Sequence, residues 1–376
     1  MVATLCMLLA LDNQFQACLL APTEILAQQH EAGIRELLEP MGLNVGFLSG
    51  STKTAERKIL FEQLESGACH ILIGTHAILE DRVKFKNLGL AIIDEQHKFG
   101  VAQRAKLYFK AKIRPHILVM TATPIPRSLA MTLYGDLDLS VIDELPAGRK
   151  PIKTLHRSES KRLEVFHFIK NQIKEGRQAY IVYPLIQESE KLDYQDLMDG
   201  YESISRAFPA PTYAISIVHG KMKPEDKEYE MQRFIRGETQ MMVATTVIEV
   251  GVNVPNASLM VIESAERFGL SQLHQLRGRV GRGAYQSYCI LLTGHKLSQE
   301  SRKRMKIMVE TNDGFRIAEH DLELRGPGDI MGTQQSGLLQ LKLAKIDQDH
   351  SILLQARELV QRLLEMDPEL NFNENQ

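Results

Sequence analysis

The sequence predicts an α/β protein: two parallel-sheet units in tandem, followed by a helical hairpin, a loop and a last helix. Three observations predict it. Over residues 1–145, short apolar runs alternate with segments of helical periodicity, the pattern of buried parallel strands joined by crossover helices. The pattern stops at a stretch rich in proline, glycine and charge, then begins again. From about residue 297 the strand-like runs cease and only helical periodicity remains.

The elements follow in chain order. MVATLCMLLALDN (1–13) reads as a helix; Asp12 and Asn13 interrupt its apolar run and no basic residue precedes it, which argues against a secretion signal. QACLLA (16–21), NVGFLS (44–49), CHILIG (69–74), LAIID (90–94) and HILVMT (116–121) read as strands. Between them, EILAQQHEAGIRELLEPMG and AERKILFEQLESG carry helical spacing. DELPAGRKPIKT (143–154) reads as a linker. A second set of strands comprises QAYIVYPL (178–185), YAISIVHG (213–220), QMMVATT (240–246), ASLMVIES (257–264) and SYCILLTG (287–294). SRKRMKIMVETNDGFRIAEHDLELRG then reads as a helical hairpin, followed by a glycine-rich loop, a helix over HSILLQARELVQRLLEM (350–366) and a polar tail. The expected divisions are 1–146, 147–296 and 297–376, with a cleft between the two sheet units.

Composition sets the bounds. A chain of 376 residues exceeds one ordinary core, and no run of some eighteen apolar residues offers a membrane span. Cys6, Cys18, Cys69 and Cys289 are scattered without C-x-x-C spacing, which fits reduced thiols in a cytoplasmic protein and no structural zinc. The net charge of −2 gives no global attraction for nucleic acid, so any phosphate binding has to come from local basic groups such as RGRVGR (277–282) and SRKRMK (301–306). Either cluster alone equally suits a solvated face.

Asp94 and Glu95 end an apolar strand, where open α/β sheets bind ligands. Phosphoryl transfer needs one carboxylate for the shell of a magnesium ion and a second group to orient the attacking water; adjacent acids supply both. An acidic pair there equally suits a helix N-cap. MTATPIPRSLA (120–130) brings the hydroxyls of Thr121 and Thr123 to the end of the next strand, and also suits a plain proline-enforced loop. QLHQLRGRVGRG (272–283) places Gln275, Arg279 and Arg282 in a Q-x-x-x-R-x-x-R pattern with Gly278 and Gly281, which predicts two arginines on one helical face. A solvated basic face accounts for the arginines but not for the paired glycines. ATTVIEVGVNVPNA (244–257) ends a strand in hydroxyls and bends at Gly251 and Asn253.

In this order and spacing, APTEILAQQH, GTHAILE, DEQHKFG, MTATPIPRSLA, ATTVIEVGVNVPNA and QLHQLRGRVGRG resemble the motif series of superfamily 2 helicases. The match is to the RecG family, and it covers residues 1 to about 340. DGFRIAEHDLELRGPGDIMGTQQSG (313–337) resembles the translocation motif that this family shares with the transcription-repair coupling factor Mfd; DEQH and the RGPG…QSG wording favour RecG. The resemblance implies tandem RecA-like domains, ATP and Mg2+ as cofactors, and branched double-stranded DNA (stalled forks and Holliday junctions) as substrate. It further implies a monomer and a single-strand-binding protein as partner. It would have Asp94 hold Mg2+ through water, Glu95 act as base, and Gln275, Arg279 and Arg282 act from across the cleft. Gln96, His97, Thr121, Thr123, Glu249, Gly251 and Asn253 would couple the nucleotide to motion. Thr23, Thr75, His76 and Thr246 would face the DNA backbone, and Arg304, Arg325 and Gln335 would serve translocation. Lys98 stands where arginine is usual and Asp329 where glutamate is; Lys98 loses bidentate geometry.

No G-x-x-x-x-G-K-[ST] occurs in the sequence. GFLSGSTKT (46–54) and HGKM (219–222) both miss its spacing. In the family the phosphate loop opens the helix that here is MVATLCMLLALDN, so the resemblance implies a chain that begins just after that loop, without a wedge domain upstream and lacking one central strand of its first sheet. ATPase deficiency of this chain alone is the expectation. Two alternatives stand beside it: a non-catalytic branched-DNA-binding fragment, and an Mfd-like translocase.

Overall fold

The computed structural model describes residues 1–95, 99, 106–111, 113–122, 138–142, 144, 148–184, 190–245, 254–325, 350–369 and 371. The chain divides into two compact units near residue 123.

In the first unit, α1 (Val2–Asp12) leads into β1 (Gln16–Leu20), α2 (Glu24–Leu38), β2 (Val45–Leu48), α3 (Thr54–Ser66), β3 (Ile71–Gly74), β4 (Leu88–Asp94) and β5 (His116–Met120). All five expected strands form. They make one parallel sheet in the order β2-β3-β1-β4-β5. Alternation of side chains sends Cys18, Leu20, Ala91 and Ile93 to one face, where Leu60 and Leu64 of α3 cover them. Ala17, Leu19, Leu90 and Ile92 go to the other face, under Met7 of α1 and Leu26, Ile34 and Leu38 of α2. Both faces are therefore dry, and this is why the strands read as continuous apolar runs.

The second unit contains β6 (Lys153–Ser158), α4 (Arg162–Lys174), β7 (Gln178–Tyr183), α5 (Glu190–Ala207), β8 (Ile215–Val218), α6 (Pro224–Ile235), β9 (Met241–Thr245), β10 (Ala257–Ile262), α7 (Leu270–Arg277) and β11 (Tyr288–Thr293). Its parallel sheet has the order β8-β9-β7-β10-β11-β6. The strand β6 corrects the sequence reading, which ran a linker to residue 154 and found five strands. KTLHRS lies at a sheet edge and is only partly buried, so it lacks the apolar run that marks the inner strands. The expected hairpin forms as α8 (Gln299–Glu310) and α9 (Gly314–Arg325), with Met305, Met308, Ile317 and Leu322 buried. The expected last helix is α10 (His350–Met366).

The duplication extends to single hydrogen bonds. Gln16 opens β1, is buried, and donates through Nε2 to Leu64 O (3.0 Å) and Cys69 O (2.7 Å) at the turn between α3 and β3. Gln178 opens β7, is buried, and donates through Nε2 to Phe234 O (2.7 Å) and Thr239 O (2.8 Å) at the turn between α6 and β9. Each glutamine satisfies one carbonyl in the last turn of a helix and one in the turn that follows it. The equivalence matches β2, β3, β1, β4 and β5 with β8, β9, β7, β10 and β11. It leaves β6 without a counterpart among the described residues of the first sheet. Consistent with an open edge, His116 of β5 is exposed and Ile117–Met120 are half-buried, whereas all of β1 is buried.

Candidate functional site

In the first unit the predicted acids lie at the carboxyl end of the sheet. Asp94 closes β4 opposite Met120 of β5, and its side chain is 17% exposed. Its Oδ1 accepts the Glu95 backbone N–H at 3.0 Å, and its Oδ2 lies 2.7 Å from His30 Nε2 on α2. Glu95 has φ of 50°, the left-handed region that a non-glycine residue adopts only under tertiary constraint. That turn aims its carboxylate at β5: Oε2 accepts from Thr121 Oγ1 and from the Ala122 N–H, both at 3.3 Å. The structure thus brings Asp94, Glu95 and Thr121 together. Gln96, His97 and Thr123 lie outside the described residues.

Among the described residues, no group of three or more His, Cys, Asp or Glu side chains is placed to hold a metal ion unaided. A carboxylate pair at a strand end nonetheless suits Mg2+, which keeps several waters and is usually held by one or two carboxylates plus substrate phosphates.

The other predicted residues of this unit lie on neighbouring strand ends. Thr23 caps α2, its Oγ1 3.5 Å from the Leu26 N–H that it accepts. Thr75 follows β3; its N–H donates to Leu48 O at 3.1 Å, and its buried Oγ1 has no hydrogen-bond partner among the described residues. His76 beside it is exposed. Sequence reading missed Glu24, whose Oε1 accepts from Ser49 Oγ at 3.0 Å and from Ser51 Oγ, tying α2 to the loop after β2. It also missed His30.

In the second unit the helical-face reading of the arginines does not hold. α7 ends at Arg277, Gly278 caps it, and Gly281 at φ of 78° turns the chain away. Arg279 is buried in this turn and Arg282 beyond it is exposed, its Nε 3.5 Å from Gly278 O. Gln275 is half-buried on α7. The glycines matter for this break rather than for helical spacing, since the positive φ at 281 favours a residue without Cβ. Glu249, Gly251, Asn253 and Thr246 lie outside the described residues.

The residue that sequence reading passed over is Arg277. It is 2% exposed. Its Nη1 donates to Thr311 O (2.8 Å), Met308 O (2.9 Å) and Thr154 Oγ1 (3.3 Å), and its Nη2 to His274 Nδ1 (3.2 Å). Burial and the adjacent Arg277 guanidinium push the His274 pKa down to about 4, so His274 is neutral near pH 7 and accepts. Two further contacts fasten the hairpin to this region. Arg304 of α8 donates to Phe268 O and, at 3.1 Å, to Glu266 O, in the segment entering α7. Ser271 on α7 donates to buried Asp321 Oδ2 of α9 at 2.8 Å. Arg325 is the last residue of α9, and Gln335 lies outside the described residues.

Three family models match separate parts of the chain. Residues 1–132 match the DEAD/DEAH box helicase model, 160–284 the helicase conserved C-terminal domain, and 311–376 the C-terminal part of domain 3 of ATP-dependent DNA helicase RecG. The chain is 49% identical to the ATP-dependent DNA helicase RecG of Synechocystis sp. over 98% of its own length and 44% of that protein's. It is also 49% identical to that of Bacillus subtilis, over 97% of its own length and 53% of the relative's. The chain therefore spans about half the length of the curated relatives it matches. A structure of RecG bound to a three-way DNA junction superposes with a TM-score of 0.75 at 41% identity, over 94% of this chain and 45% of that one.

Proposed function

The chain belongs to the RecG family of superfamily 2 DNA helicases, and on that premise we propose that it supplies the water-activating, arginine and translocation parts of an ATP-dependent motor on branched duplex DNA, including forks and Holliday junctions. The observation that carries the hydrolytic part is the contact of Glu95 with Thr121 and Ala122 at the ends of β4 and β5. A base must be held in place, and adjacent to it must be a group that registers its occupancy. Mg2+ with ATP supplies the phosphoryl group and neutralises its charge. Asp94 would hold the water shell of that ion, and Glu95 would orient the attacking water and take its proton. Gln275, Arg279 and Arg282 would supply the polar and cationic groups that stabilise the phosphate charge; a trigger arginine is typically worth about 10³–10⁵ in rate. Thr23, Thr75 and His76 form the DNA-side group of this reading; the exposed His76 suits that role, whereas the Thr75 hydroxyl is buried.

The hairpin contacts support a mechanical reading. Arg277 lies in the same short segment as Arg279 and binds the carbonyl end of α8, while Arg304 and Asp321 hold the start of α7. A displacement of the arginine segment would thereby be passed to α8 and to α9, whose last residue is Arg325.

A second reading, a binder without turnover, is favoured for this chain alone by the lack of any G-x-x-x-x-G-K-[ST] in its sequence. Backbone N–H groups and a lysine in that loop provide much of the β/γ-phosphate binding. The test is a mobility shift on three-way junctions against linear duplex, with ATP turnover measured alongside. The expected result is salt-dependent preference for the junction with turnover at background. DNA-stimulated turnover that Asp94→Ala abolishes would refute the deficiency; equal affinity for linear duplex would refute the branched-DNA reading.

A further inference from the structure

α2 buries Leu26, Ala27, Ile34 and Leu38 against the first sheet. His30 stands three residues after Ala27 and four from both Leu26 and Ile34, so helical spacing puts it on that same face. Its ring is half-buried, the side chain 29% exposed, and it takes a protein partner. The partner is Asp94, 64 residues away in sequence, at 2.7 Å from Nε2 to Oδ2. Asp94 Oδ1 is meanwhile held by the Glu95 N–H. Each carboxylate oxygen therefore has one fixed donor, and these two donors come from different elements, so the plane of the carboxylate is set. Each oxygen keeps a second lone pair, free for a metal-bound water.

We propose that His30 is the positioning residue of Asp94: its Nε2–H fixes the carboxylate in the orientation that receives the water shell of a divalent cation. The proposal rests on the reading of Asp94 as the metal-side carboxylate. His30 touches neither substrate nor metal and acts only through Asp94. Partners of this kind, which orient a ligating group from behind, typically change metal affinity about 10–100-fold when removed. The geometry also places Thr23 and Glu24, at the start of α2, on the same rigid element as the donor that sets Asp94.

The test uses this 376-residue chain and Mn2+ alone as the probe. Long-range 1H–15N spectra report the His30 ring directly: the wild type should show a protonated Nε2 in slow exchange, and Asp94→Ala should lose it. Mn2+ titration, read by the paramagnetic resonance of the free ion, should show a site that Asp94→Ala removes. His30→Ala should weaken that site about tenfold, whereas His30→Gln, which keeps a donor, should stay within about threefold. His30→Leu fills the position without a donor and carries the alanine expectation should alanine fail to fold. Wild-type affinity in the alanine or leucine variant, with Asp94→Ala still removing the site, overturns the positioning role and leaves the reading of Asp94 standing. No Asp94-dependent site in the wild type overturns this proposal, that the carboxylate set by His30 receives the ion's water shell, and leaves the reading of Asp94 with nucleotide bound to the turnover test.

Discussion

Arg277 is a buried cation whose charge is spread over two main-chain carbonyls, a threonine hydroxyl and a neutral imidazole. The fork of the guanidinium reaches these acceptors at once, which a lysine ammonium cannot do. Arg277→Met is therefore expected to cost roughly 2–4 kcal/mol of stability in urea titrations, through the orphaned end of α8, and Arg277→Lys to recover little of it. Acid should act through the neighbour. His274 titrates near 4 in the folded chain and near 6.5 when unfolded, so between those values the unfolded state binds more protons. The contribution of His274 is complete above about pH 6.5 and is lost as pH falls toward 4, on the order of 3 kcal/mol. Urea midpoints across that window, compared with His274→Gln, measure it; an unchanged slope in the variant would sink the assignment. Neither Arg277 nor His30 was singled out in the sequence: RGRVGR was read for Arg279 and Arg282, and QQH only as part of a helix. One signal was there for both. Leu270, Leu273 and Arg277, like Leu26, His30 and Ile34, follow the spacing of a buried helical face. A lone polar residue in such a stripe marks a buried hydrogen-bond partner, but its identity lies far off in the sequence and only the fold supplies it.

At the scale of elements, continuous apolar runs identified every strand covered on both faces, from LAIID of β4 to ASLMVI of β10. The edges behave differently. KTLHRS of β6 faces solvent in part and hid among linker residues, while HILVM of β5 was recognised although it is now only half-buried. That mismatch between an interior-type sequence and an edge position is physically telling, since apolar residues of β-branched and aliphatic type suit a strand with neighbours on both sides. Amide exchange should expose it. The inward amides of β4 and β1 are expected to be protected close to the global limit, while the β5 amides that point away from β4 should exchange at least tenfold faster. Uniform protection along β5 would show that its outer edge is paired in solution, most simply by a second copy of the chain, and a dilution series would then restore fast exchange.

The whole molecule carries two sheets of one design, and the comparison between them is the strongest guide to what activity requires. The equivalent glutamines, Gln16 and Gln178, fix the correspondence of strands. By that correspondence β6, which precedes α4 in the second unit, matches a strand that would precede α1 and lie beside β5. A strand in that place would run parallel to β4 and end on the side of the sheet where Asp94 and Glu95 stand, and its loop into α1 would set backbone N–H groups at a helix N-terminus, where phosphates bind. Fusing to Met1 the stretch that precedes the matched region in the Bacillus subtilis relative is therefore expected to do two things together. It should bring the outward amides of β5 to the protection of β4, and it should give junction-stimulated ATP turnover that Asp94→Ala, Glu95→Gln and Arg282→Ala each reduce by at least 100-fold. The paired readout separates the claims. Protection without turnover would place the strand correctly and reject the assignment of Asp94, Glu95 and Arg282. Turnover without protection would mean that the phosphate loop reaches these carboxylates from somewhere other than the β5 edge, and the correspondence drawn from the second sheet would fail.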